Sequence, residues 1–488
     1  MSDNSSGKEI TVPPIADELG RLFERDGHEL HLVGGPVRDA VLRRPVSDLD
    51  FTTDARPDAT EAILRAHCST VWTTGADFGT VGGMFRGEQV EVTTFRADAY
   101  DRVGRNPVVR YGDRLEDDLE RRDFTVNAMA VSVPGHVFAD PFGGIADIAR
   151  RTIRTPASPE SSFADDPLRM LRAARFAAQL GFDIEADTLD AMRRMAGELS
   201  RITAERIRDE FVKLMLAPDP VVGLRILVDT GLAEQFLPEL PALRMEIDEH
   251  AQHKDVYEHS LQVLRNAIAQ ETGGPDLLMR LAALLHDIGK PETKDVAPGG
   301  GVTFHHHDVA GARLARRRMR ELKFPKADVQ AVSLLISLHL RFYGYADGGS
   351  AHGRLASGAV TGGWTDSAVR RYVTDAGDQL DRLHVLVRSD CTTRNRRKAE
   401  RLRRDYDAFE DRIARIRAAE DLRAVRPDLD GNAIMELLGL KPGPEVGRAW
   451  AFLKELRLER GPLPREDAEA ALLDWAASEG IAPRPDAG

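Results

Sequence analysis

Cysteine is scarce. The 488 residues hold two, Cys68 and Cys391, far apart in the chain. That excludes a disulfide framework and any zinc site built on cysteine pairs. No unbroken apolar stretch is long enough to cross a bilayer, so no membrane partner is expected. The start, Met1 to Pro14, is polar and lacks the apolar core of a secretory signal, and a cytosolic (cytoplasmic) protein is the simplest reading. Positive charge is not in excess either: 67 Lys and Arg stand against 79 Asp and Glu, a net charge of −12. This disfavours a general nucleic-acid coat protein but leaves room for a local basic groove. Two basic runs exist, Arg313 to Lys323 and Arg394 to Arg404; taken alone, each reads as a solvated helix face.

What is present is ordinary for a soluble globular chain: 42% hydrophobic and 30% charged residues. The length suggests roughly three domains or one modular array. From about Ile15 to Thr155 helix and strand signals mix. IADELGRLFER (15–25) fits an amphipathic helix, and Glu29–Val33, Leu49–Thr53, Val81–Phe85, Val90–Phe95 and Ala128–Val133 read as strands. After Pro156 the chain becomes almost wholly helical, with Gly-rich breaks at 291–303 and 343–363. The expected fold class is therefore α+β: an N-terminal α/β domain with a mixed sheet, then a long all-α part.

The sharpest local signal is VGGPVRD (33–39) followed by SDLDF (47–51). Gly34 and Gly35 stand between a strand and a helix, where backbone N–H groups can approach an anion. Arg38 could clamp a phosphate. Asp48 and Asp50 are two apart on a strand, so their carboxylates share a face. Paired carboxylates repel unless a cation lies between them, and Mg²⁺ takes oxygen ligands that it shares with phosphates. Glu91, alternating with Val90 and Val92, joins them only if its strand neighbours theirs. Singly, Gly-Gly is often a tight turn and Asp-x-Asp a surface edge; the conjunction is what carries the signal.

GGPVRD (34–39) and DLD (48–50), with RRDFTVNA (121–128), DPFGGIAD (140–147) and DDPLRMLRAARF (165–176), resemble in order the motifs of the class II tRNA nucleotidyltransferase and bacterial poly(A) polymerase family. The resemblance implies a nucleotidyltransferase head in which Asp48 and Asp50 are the catalytic, Mg²⁺-binding carboxylates, with Glu91 as a third catalytic candidate on the strand condition above. It implies nucleotide contacts from Gly34, Gly35, Arg38, Arg122 and Asn127. It makes Asp166 and Arg169 the readers of the base edge, with Arg172 and Arg175 steadying the helix or the triphosphate. Cytosine and adenine both offer an amino donor beside a ring-nitrogen acceptor, which suits a carboxylate beside a guanidinium. The family usually has Glu where Asp165 stands. The implied partners are CTP, ATP and the tRNA 3′ end, and the implied activity is CCA addition. Poly(A) polymerization and partial CC- or A-addition are the alternatives within the family. The stretch Ala97–Gly112 matches in position a family loop needed for A addition.

Most histidines fall between 250 and 390. His286-Asp287 closes an apolar helix, where burial is costly unless the pair is partnered or binds a metal. The order His259, His286-Asp287, His307, His339, Asp390 resembles the ligand set of an HD-superfamily metal phosphohydrolase. Imidazole and carboxylate suit a second divalent ion such as Mn, Ni or Fe. The expected domains are a leader (1–14), head (15–155), helical neck (156–245), HD domain (246–400) and helical tail (401–488). The oligomeric state is left open. A phosphohydrolase whose head only binds nucleotide, and a non-catalytic RNA binder, are the competing readings from other classes.

Overall fold

The computed structural model describes residues 11–46, 49–76, 79–97, 110–249, 252–296, 302–342, 365–392, 396–420 and 426–481. Two compact units make up the chain, Met1–Pro238 and Glu239–Gly488.

The first unit is built on β1 (Leu30–Val33), β2 (Leu49–Thr53), β3 (Thr70–Trp72), β4 (Thr80–Phe85), β5 (Glu88–Thr94), β6 (Arg96–Ala97), β7 (Arg110–Tyr111), β8 (Ala130–Val133) and β9 (Phe138–Ala139). Seven form one mixed sheet in the order β3-β4-β5-β2-β1-β8-β9, while β6 and β7 pair with each other. Central β1 is buried along its whole length, as a strand covered on both faces must be. β2 and β5 run parallel and all other pairs in the sheet are antiparallel. The helix Pro14–Arg25 buries Ala16, Leu19, Leu22 and Phe23, the spacing of one helical face. Its Gly20 lies against the backbone of Val133, where any side chain would collide with the carbonyl. The five strands expected from alternation are all present, within two residues at each end. The short β3, β6, β7 and β9 carry too few residues to show a period of two.

The rest of this unit is helical. Leu168–Leu180 packs on Ala204–Met215 and Pro220–Asp229, closely enough that a Cβ on Gly223 would stand 2.7 Å from the Ala174 carbonyl oxygen. Between these helices Arg175 and Glu210 form a buried pair, Nε to Oε2 2.6 Å, with 9% and 4% of their side chains exposed. Glu210→Ala leaves that guanidinium without its carboxylate, so thermal or urea unfolding should show a loss of about 3–5 kcal/mol. A loss below about 1 kcal/mol would show that Gln179, which also accepts from Arg175 at 2.7 Å, suffices.

The second unit is helical with short hairpins. One of these, Lys294–Val296 with Val302–Phe304, occupies part of the expected 291–303 loop. The long helix Arg396–Ala419 runs through the expected 400/401 boundary. The reason is aromatic packing: Tyr406 and Phe409 of this helix meet Phe342 and Tyr372 of earlier helices, so its apolar face belongs to the body before it. The last three helices, Gly431–Leu438, Pro444–Arg460 and Arg465–Ser478, share a core of their own around Ile434, Leu453 and Leu472. The basic run of 313–323 splits by role. Arg318 is chelated by Glu239 at 2.9 Å, whereas Arg313 is mostly exposed. Among the described residues no helix is long and apolar enough to cross a membrane.

Candidate functional site

The register of the sheet puts Asp50 of β2 directly beside Glu91 of β5. Their neighbours Leu49, Phe51, Val90 and Val92 are buried, so both carboxylates leave by the opposite, more open face. The condition attached to Glu91 is therefore met. Asp48 lies outside the described residues. The same row continues through Gly82 to Trp72, whose indole fills the space a side chain on Gly82 would need.

β1 pairs with β2 as far as Leu32 opposite Phe51, so the Gly34-Gly35 turn leaves the sheet close to Asp50. Gly34 has φ +75°, which favours glycine. A Cβ there would also lie 3.1 Å from Arg122 Nη1. The Arg-Arg-Asp motif thus packs on the glycine turn. Arg122 is steadied by Asp118 at 3.2 Å. Arg38 does not point free: it donates to Asp39 at 2.9 Å and to Asn127 Oδ1 at 2.7 Å.

From Asn127 a network runs into the helical part. Asn127 Nδ2 donates to Asp123 Oδ1 at 2.9 Å, and Arg172 donates twice to Asp123 Oδ2 at 2.8 and 2.5 Å. Burial alone would raise the Asp123 carboxyl, but Arg172, Asn127 and Arg169 outweigh it and hold it well below the usual carboxylate range. Arg169 donates to Ser162 Oγ at 2.8 Å and to the Arg121 carbonyl at 2.5 Å. Asp166 caps the helix through Leu168 N at 3.1 Å and accepts from Arg206 at 2.7 Å. One network therefore brings together Arg38, Asn127 and Arg172, with Arg169 and Asp166 at its flank. Arg175 is instead turned inward onto Glu210. Asp123, Arg206 and Glu210 escaped the sequence reading. Asp123 was legible as the acid of the Arg-Arg-Asp motif, whereas the other two depend on how helices cross.

In the second unit all six expected ligands converge. Five of them sit at or just beyond helix ends: His286 and Asp287 after Leu277–Leu285, His307 opening His307–Glu321, His339 after Lys326–Leu338, and Asp390 closing Leu380–Asp390. His259 lies inside Val256–Ile268. Two groups, His259 with His286 and Asp390, and Asp287 with His307 and His339, each hold their ligand atoms within 4.8 Å of one another. Asp287 faces both: Oδ2 is 3.2 Å from His286 Nε2, and Oδ1 is 3.3 Å from His307 Nε2. Lys290 Nζ lies 2.7 Å from Asp287 Oδ2. Burial disfavours an imidazolium at His286, yet Asp287 and Asp390 lift its pKa to about 10; at His339 burial, reinforced by His286, lowers it to about 4. Among the described residues, the buried Nε2 atoms of His286 and His339 have no hydrogen-bond partner of sound geometry. Buried nitrogens aimed at carboxylates are what a divalent cation would satisfy, so the residues fit a metal.

Comparison with known proteins agrees with both halves. A model of the poly A polymerase head domain matches residues 30–154, one of the probable RNA and SrmB-binding site of polymerase A matches 181–243, and one of the HD domain matches 256–391. An A-adding tRNA nucleotidyltransferase of Deinococcus radiodurans is 34% identical over 453 residues, covering 91% of this chain and 95% of the relative. The chain belongs to the tRNA nucleotidyltransferase family. A CCA-adding enzyme of Lactobacillus johnsonii is 41% identical over 232 residues, 47% of this chain; the match spans 55%, about half, of that relative's length. In fold, the Bacillus stearothermophilus CCA-adding enzyme solved with CTP superposes with a TM-score of 0.65 at 24% identity, over 96% of this chain and 99% of that one. A tRNA nucleotidyltransferase head and an HD domain both imply divalent metal use.

Proposed function

We propose that this chain completes tRNA 3′ ends by adding CCA from CTP and ATP, without a nucleic-acid template. The observation that carries the reading is the side-by-side register of Asp50 and Glu91, next to a glycine turn overlaid by Arg122. With Asp48 they hold Mg²⁺, which supplies charge neutralisation at the triphosphate and activation of the attacking hydroxyl. The chain's own part is positional. Arg122 and the glycine turn receive phosphate oxygens, and the Arg38–Asn127–Asp123–Arg172 network holds that turn against the helix bearing Asp166 and Arg169. The tRNA 3′-oxygen attacks the α-phosphorus in line, the bond to pyrophosphate breaks, and the hydroxyl proton leaves to solvent or to a carboxylate of the site.

Base choice is assigned to Asp166 and Arg169, with Arg172 as the support of that helix. Supporting this, Asp166 and Arg169 lie at one helix start and are held by partners that a nucleotide could replace, Arg206 and Ser162. Arg169→Ala should reduce discrimination of CTP and ATP against UTP and GTP by about 10- to 100-fold, the worth of a lost bidentate base contact, with a smaller effect on total incorporation. Unchanged discrimination in single-nucleotide assays would remove Arg169 from the role.

The test of the function is extension of tRNA transcripts lacking CCA, lacking CA, and lacking the final A, with each triphosphate singly and together. Completion of CCA followed by a stop is the expected result. One finding favours a second reading: the relative matched over nearly its whole length is named A-adding. Extension of only the transcript ending in CC would establish that activity instead, and an unbounded A ladder would establish poly(A) synthesis. The HD centre is proposed as an accessory phosphohydrolase using a transition-series divalent ion, supported by the gathering of six ligand residues. The proposed head 15–155, neck 156–245 and HD domain 246–400 are each supported by one family match inside those limits; a helical tail is supported by the separate core around Ile434, Leu453 and Leu472, which starts beyond the helix Arg396–Ala419 rather than at 401.

A further inference from the structure

Four histidines face the HD centre, and their outer nitrogens are held in two different ways. His286 Nδ1 lies 2.9 Å from the Ala283 carbonyl, His307 Nδ1 2.8 Å from that of Phe304, and His339 Nδ1 2.6 Å from that of Ile336. A carbonyl only accepts, so each of these rings carries a proton on Nδ1 and leaves Nε2 as the atom that would face a cation. His259 differs. Its Nδ1 lies 3.0 Å from a side-chain hydroxyl, Thr392 Oγ1, while its Nε2 faces Asp390 Oδ1 at 3.0 Å. Thr392 is just beyond the helix that ends at Asp390, and its own N–H donates to the Asp390 carbonyl at 2.8 Å. One residue is thus tied both to the His259 ring and to the backbone of the Asp390 ligand. It also falls one position outside the 256–391 match to the HD domain.

We propose that Thr392 is a positioning residue for the metal group His259–His286–Asp390, an inference that rests on the HD centre binding metal. Its hydroxyl accepts from Nδ1–H, which fixes the ring's rotation and leaves Nε2 as the inward donor. Backbone carbonyls do this for the other three rings and cannot be removed by mutation. Of the four, His259 is the one whose support is a side chain. Loss of an outer partner of a metal-bound histidine lowers affinity by about 10- to 100-fold.

The experiment is calorimetric titration of the full chain with Mn²⁺ and, separately, Ni²⁺, for wild type, Thr392→Val, Thr392→Ala and Thr392→Ser. Melting curves of the metal-stripped proteins accompany the titrations to show that each variant is folded. Thr392→Val should weaken at least one ion about 10- to 100-fold, and Thr392→Ser, which restores a hydroxyl, should bring the affinity back. Thr392→Ala stands in if the valine variant does not fold. Dissociation constants within twofold of wild type in both hydroxyl-free variants would overturn the proposal. So would equal weakening in the serine variant, which would mark a packing effect. No uptake by wild type would overturn the metal reading itself and this inference with it, a result distinct from uptake that Thr392 does not influence.

Discussion

Asp50→Ala is expected to reduce incorporation of CMP and AMP into tRNA by about 10³-fold while leaving the melting temperature nearly unchanged. The rate effect follows from the charge that a two-carboxylate metal site neutralises in phosphoryl transfer. Several kcal/mol of transition-state stabilisation is lost with one ligand, and each 1.36 kcal/mol is a factor of ten. The effect on stability is small for a separate reason. Asp50 and Glu91 are register partners on adjacent strands, and like charges placed side by side in a sheet oppose folding. Removing one relieves that repulsion and offsets the loss of the other interaction Asp50 makes. A structural carboxylate would behave otherwise, with lost stability and activity falling only in proportion to unfolded protein. Asp50→Asn sharpens the comparison, since it keeps the shape and removes the charge. Single-turnover incorporation beside a thermal melt therefore decides the role, and activity within tenfold of wild type would exclude Asp50 as a metal ligand.

The row of carboxylates shows how far the sequence could be read. The place of Asp50 on a strand was legible from the run Leu49–Thr53, whereas its partner Asp48 lies outside the described residues. Glu91 was not assignable, because β5 is adjacent to β2 only through a parallel crossover that no local pattern encodes. The HD ligands were legible through the resemblance of their order to the HD-superfamily set, because no local pattern separates a ligand histidine from a core one; that five of the six stand at helix ends is visible only in the structure. The neck was harder. Asp166 was readable as a cap before Pro167, and the structure retains that cap. Yet the inward turn of Arg175 onto Glu210 depends on how Leu168–Leu180 crosses Ala204–Met215, and amphipathic spacing alone placed Arg175 on the same stripe as Arg169 and Arg172. The three-residue drift of that stripe carries its last member out of the site and into the core.

Gly289→Ala is expected to cost the HD centre its metal, at least about a 100-fold loss of affinity, with about 1–3 kcal/mol of stability. The glycine follows His286-Asp287 and touches the start of the helix His307–Glu321. A Cβ on Gly289 would overlap the His307 carbonyl oxygen and stand 2.5 Å from Gly311 N; Gly311 reciprocates, its own Cβ position lying 3.2 Å from Gly289 N. Both obstacles are backbone, so no side chain can rotate away. The two segments must part by roughly 1 Å, and these are the segments that bring Asp287 and His307 within 3.3 Å of each other. Ligand constellations tolerate about 0.5 Å of misplacement. The loss in affinity should therefore exceed what the modest loss in stability would suggest, a disproportion that a simple packing defect does not produce. Metal content after dialysis, set beside a urea melt of the same preparation, measures both quantities. Full metal content in a folded Gly289→Ala protein would show that the ligand set does not depend on this contact.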